Sequence, residues 1–146
     1  MQKFTSIVVV FIFFLIVSPI ISHAQNYGKI FTKVEAEKIF GKVTESQSFV
    51  RADFDKIMQG TEKTVMFKFI GGQLVILGDQ RKLLYPESFK VDPKEQFYLF
   101  SKSMVDQLLL KEEALEIAVE HRQFSTTVTN RDFTLEESMI CPPFCP

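Results

Sequence analysis

The chain has no tryptophan, two cysteines and two histidines among 146 residues, so most catalytic chemistry lacks its usual side chains. It also lacks a Gly-rich phosphate loop, a His-x-x-x-His metal helix and a Gly-x-Ser-x-Gly elbow. Blocks of like charge are missing too. Basic and acidic residues interleave from Lys29 to Arg131, which excludes a nucleic-acid footprint.

One long apolar run is present, and it lies at the beginning. Lys3 is followed by an uninterrupted apolar stretch from Ile7 to Val17, a break at Pro19, and Ser22-His23-Ala24. Small residues at Ser22 and Ala24 fit the pattern of a secretory signal peptide over residues 1–24, cleaved before Gln25. An uncleaved membrane anchor is the rival reading, and Pro19 with its polar exit disfavours it. Cleavage predicts a secreted or periplasmic protein of bacterial type with no membrane contact afterwards. The 146 residues less 24 leave 122, enough for one core. Lys3 is the only charge lost, so 16 basic and 18 acidic side chains remain, a net charge of −2.

Residues 25–138 read as a single α+β domain. Thr32 and Glu35 form a capping box, Val34, Ile39 and Phe40 share a broad apolar face, and Gly41 stops the helix, which predicts a helix over 33–40. Residues 42–50 predict an exposed strand, and Phe54, Ile57 and Met58 face inward on a short helix ending at Gly60. Val65, Phe67 and Phe69 alternate with Met66 and Lys68, Gly71-Gly72 makes a tight hairpin, and strands return over 73–77 and 82–85 before Pro86.

The second half replays that order. A strand at 95–100 precedes a helix with Ser103 and Asp106 as capping box and Val105, Leu108 and Leu109 as apolar stripe. Leu115, Ile117, Val119 and His121 then alternate with Glu116, Ala118, Glu120 and Arg122, a one-sided strand. Phe124, Thr126 and Val128 form the next strand, Asn130-Arg131-Asp132 the turn, and Phe133 and Leu135 a third strand. Ungapped superposition of 49–58 on 100–109 matches Phe49 with Phe100 and Asp55 with Asp106, so an internal duplication of a strand-helix-three-strand unit competes with chance. The expected class is α+β, mainly antiparallel sheet with two to three helices packed on one face.

Residues 139–146 form a Cys-Pro-rich tail, "MICPPFCP". In an exported chain the pair Cys141 and Cys145 is first a disulfide, closing a small ring stiffened by Pro142 and Pro143, with a cis proline as one way to turn. Phe144, between Pro143 and Cys145, would anchor any contact that the tail makes, and the competing placement is in the protein's own core. The alternative reading keeps Cys141 and Cys145 reduced as soft-metal (Cu(I) or Zn) or haem ligands, with His121 as a third donor. A thiol oxidoreductase ranks below both, because the spacing is C-x-x-x-C and no helix follows to lower a thiol pKa. His121, the one histidine outside the leader, reads first as a packed edge side chain. The sequence therefore favours a secreted, non-catalytic binding or interaction module with a protein or peptide partner, no cofactor and a disulfide-capped tail.

Overall fold

A computed structural model describes residues 26–143 and 145. Residues 1–25, Phe144 and Pro146 lie outside the described residues, and with them the expected signal peptide and cleavage site and the contact assigned to Phe144. The fold is α+β, with two antiparallel five-stranded sheets and three helices among the described residues.

The strands are β1 (Lys29–Thr32), β2 (Val43–Val50), β3 (Thr64–Ile70), β4 (Gln73–Leu77), β5 (Leu83–Tyr85), β6 (Phe97–Ser101), β7 (Glu116–Arg122), β8 (Thr126–Asn130), β9 (Phe133–Glu136) and β10 (Met139–Cys141). Helices α1 (Lys33–Phe40), α2 (Arg51–Met58) and α3 (Lys102–Leu109) interrupt them. One sheet has the order β1-β9-β8-β7-β2 and the other β10-β6-β3-β4-β5.

Period-2 patterning explains why the sheets face each other. Phe49, Ile117, Val119, Val128 and Leu135 from the first sheet bury against Val65, Phe67, Leu74, Ile76 and Phe100 from the second. Phe54 and Met58 of α2 and Val105 and Leu108 of α3 join this core. The second sheet is also covered outside, where Met66, Val75, Leu77, Phe97, Leu99 and Cys141 pack with Phe89 and Val91. That double coverage accounts for the nearly continuous apolar run of β4. Gly71 and Gly72 both adopt positive φ (60° and 79°), as a tight hairpin between β3 and β4 requires.

The order strand, helix, three-stranded meander occurs twice, and the pairing is reciprocal. The leading strand of each unit leaves its own meander, β2 pairing with β7 and β6 with β3. Phe49 opposes Ile117 as Phe100 opposes Val65. At the helix starts, the Arg51 N–H donates to the Leu115 carbonyl and the Lys102 N–H to the Lys63 carbonyl, each at 2.8 Å. Arg51 then pairs with Asp55, and Lys102 with Asp106. This is a repeat of topology and register, not evidence of shared ancestry.

Three local expectations need correction. Val34 and Ile39 are exposed, and α1 instead seats fully buried Ala36, whose small side chain allows close approach. Helix α3 begins at Lys102, and Asp106 pairs with Lys102 rather than completing a capping box with Ser103. Leu115 is 88% exposed while Glu120 and Arg122 are buried, because β7 begins after Leu115 and its supposed solvent face is partly covered.

Candidate binding cleft

The outer face of the first sheet is polar, and its two ends are treated differently. At the end of the sheet where β7 and β9 finish, α1 and its C-terminal Gly41 lie over the strands. There the outward residues are almost completely sequestered. Arg122, 3% exposed, donates from Nη1 to the Gly41 carbonyl at 2.8 Å and from Nη2 to Glu120 Oε2 at 3.4 Å. Its Nε lies 3.0 Å from Oε1 of fully buried Glu136, near enough for Coulombic pairing, yet the N–H is not aimed at the oxygen and neither atom completes a hydrogen bond. The other Glu136 oxygen accepts from Ser125 Oγ at 2.8 Å. Burial pushes the Glu136 carboxyl above its ordinary pKa, against the pull of the Ser125 hydroxyl, the Arg122 charge and Thr127. Thr127, Thr129 and Thr134 link this network, and Thr129 Oγ1 donates to Glu120 Oε2 at 2.7 Å. A buried charge assembly of this kind is expensive to desolvate and costly to break.

Over the start of β7 and the middle of β2, the described helices leave the outer face open. The outward residues there are small, with Ser46 and Ser48 on β2 and Ala118 on β7, and Glu120 and Thr129 complete the floor. The result is a cleft of about 580 Å³ whose rim carries Lys33 and Arg131 as well as Glu113 and Glu116. Lys33 comes from the start of α1, where its N–H is fixed by the Asp132 carbonyl at 2.9 Å, and Arg131 from the β8–β9 turn. Mixed charge over a small-residue floor suits a polar ligand that lies flat on the sheet. The Thr129 hydroxyl is engaged by Glu120 and its side chain is 2% exposed, so the floor presents it as a hydrogen-bonded strut rather than a nucleophile.

The sequence-derived site residues lie elsewhere. Cys141 and Cys145 are joined in a disulfide with 4.9 Å between their α-carbons. Cis peptide bonds precede both Pro142 and Pro143. Residues 139–141 are not loose, since β10 pairs with β6 and Cys141 is fully buried in the outer cluster of the second sheet. Arg81 ties this end down, donating from Nη1 to the Cys141 carbonyl at 3.3 Å and from Nη2 to the Glu95 carbonyl at 2.9 Å. Pro142 is half-buried, and Pro143 and Cys145 are exposed.

His121 stands apart from both cysteines. Its ring lies between the sheets beside Phe69 and Tyr98, and Nδ1 is 3.0 Å from Thr126 Oγ1. The second sheet separates it from Cys141, which faces the outer cluster. Among the described residues no three His, Cys, Asp or Glu side chains converge as a metal site.

Sequence reasoning missed the cleft because its floor is built from residues without chemical character. Glu120 and Arg122 in strand alternation read as solvated charge; the alternating Thr127, Thr129 and Thr134 were the available sign that this face is partly covered. No protein-family model, curated protein or solved structure matches the chain.

Proposed function

We propose that the chain is an exported, non-catalytic binding module that holds a polar ligand in the cleft between the rim cations Lys33 and Arg131 and the rim carboxylates Glu113 and Glu116. One observation carries this reading: the same polar sheet face is sealed by α1 over Arg122 and Glu136 but left open over Ser46, Ser48 and Ala118. Export is supported by the leader-like residues 1–24 and by the oxidised pair Cys141–Cys145, which belongs in an oxidising compartment. The ring serves as a cap that holds the chain end against β6 and Arg81.

The test is a nuclear magnetic resonance titration of the folded protein with free amino acids, dipeptides, monosaccharides and sugar phosphates. At least one class should shift the amides of Ser46, Ser48, Ala118 and Thr129, and Ala118→Trp, which fills the floor, should abolish the shifts while preserving the spectrum elsewhere. Cleft amides that respond to no class, or shifts that persist unchanged in Ala118→Trp, refute the reading. The mass of protein purified natively from the periplasm tests export, with a chain beginning at Gln25 expected and a chain retaining Met1 counting against it.

A further inference from the structure

The two sheets have four edges, and three are blunt. β5 and β10 have three residues each and β1 has four, whereas β2 has eight. Natural edge strands are kept from pairing by brevity, proline, inserted charge or bulges. Strand β2, "VTESQSFV", contains no proline and no lysine, and its one charge and its one bulge lie towards its start, at Glu45 and between Val43 and Glu45. From Ser46 to Val50 nothing on the strand itself blocks an incoming backbone.

The ladder fixes which groups are free. Arg51 N–H bonds to the Leu115 carbonyl in the position that continues the Val50–Glu116 register. Antiparallel bonding alternates, so Gln47 and Phe49 are spent on β7, while Ser46, Ser48 and Val50 point their N–H and C=O groups at the open edge. The side chains of Ser46 and Ser48 lie on the cleft side. Behind Val50, Ser48 and Ser46 on β7 stand Glu116, Ala118 and Glu120 in turn.

We propose that this edge accepts an extended segment of a partner polypeptide as a sixth strand, with a lysine or arginine side chain of that segment crossing Ser48 on the diagonal, beside Val50, to reach Glu116. The inference rests on the cleft reading above and names its occupant. A sixth strand lies two strand spacings, about 10 Å, from β7, and Ser48 leaves the diagonal to Glu116 open although Val50 stands directly opposite that glutamate. A long flexible cation spans that gap together with the glutamate's own reach. A second copy of the chain does not meet the requirement, because the cleft-side residues of β2 carry no cation and self-pairing would bring two copies of Glu116 to the same groove. Backbone pairing supplies affinity and the alternate side chains supply selectivity, as in strand addition generally.

The probe is a synthetic decapeptide of alternating threonine and valine with two lysines on one face, compared with its glutamate counterpart and with a version N-methylated along the pairing edge. The lysine peptide should slow amide exchange at Ser46, Ser48 and Val50 by about tenfold or more, and the other two should not. Glu116→Gln should weaken binding about two- to fivefold and flatten its salt dependence, as expected for one exposed pair. Ser48→Pro removes an N–H that the ladder with β7 does not use, so it should preserve the fold and abolish binding. If that variant fails to fold, Ser46→Lys, which adds a repelling charge at the edge, should do the same. Unchanged exchange at Ser46 and Ser48 while Ala118 and Thr129 respond overturns the strand-addition proposal and leaves the cleft reading standing. A dimer by light scattering that Ser48→Pro dissociates overturns it in favour of a second copy, and silence at both edge and cleft removes both readings.

Discussion

Replacing Arg122 with methionine probes the most tightly constrained part of the molecule. The side chain is 3% exposed and holds the Gly41 carbonyl, Glu120 and fully buried Glu136 together beneath α1. Removing one member of a buried ion pair leaves its partner either to stay charged in a dry site or to take up a proton there, which costs about 3–5 kcal/mol. A domain of this size has about 5–15 kcal/mol in total, so the variant should fold but melt early. With a urea slope of about 2 kcal/mol per molar, the midpoint should fall by about 2 M at pH 7.

Arg122→Met combined with Glu136→Leu should recover much of the loss, because two apolar groups replace a desolvated pair, giving a coupling energy of about 2 kcal/mol or more. Acid should also narrow the gap between wild type and the single variant. Burial holds the folded Glu136 pKa above its ordinary 4.5, so its contribution to stability is fully present below that value and is lost as pH rises through the folded pKa. Without Arg122 the carboxyl stays protonated to higher pH, and the deficit at pH 4.5 should be smaller than at pH 7. A single-variant cost under about 1 kcal/mol, additive with Glu136→Leu and independent of pH, would mean that water reaches these charges and that α1 does not seal this face.

Valine at Gly71 should cost about 1 kcal/mol or more in urea unfolding through positive-φ strain, since a Cβ there meets nothing within 4 Å; an unchanged midpoint would contradict the hairpin. Asp79 is partly buried, which opposes ionisation, but the N–H groups of Glu62, Lys63 and Thr64 and the Thr64 hydroxyl outweigh this and lower its pKa to about 2. Its contribution, about 1 kcal/mol after solvent screening, should be present above about pH 4 and disappear as pH falls through about 2, a loss that Asp79→Ala would not show in acid titration. The native protein should titrate with no free thiol, and Cys141→Ala with Cys145→Ala should cost about 2 kcal/mol from the lost ring plus about 1 kcal/mol from the buried sulfur volume at Cys141.

Local pattern alone determined the α+β class, the antiparallel strands, the hairpin at Gly71-Gly72 and the capping box at Thr32, because each depends on residues within a few positions of one another. The pairing of Cys141 with Cys145 was legible for the same reason. The partition of the ten described strands into two facing sheets, with β2 delivered to β7 and β6 to β3, was decided by tertiary structure. Alternation tells that a strand has two unlike faces but not what covers either one. Glu116, Ala118, Glu120 and Arg122 share one face of β7 and one sequence pattern, yet Arg122 is sealed beneath α1 while Ala118 floors an open cleft. Only the path of α1, set by contacts between residues 81 (Gly41 and Arg122) and 99 (Lys33 and Asp132) positions apart, separates them.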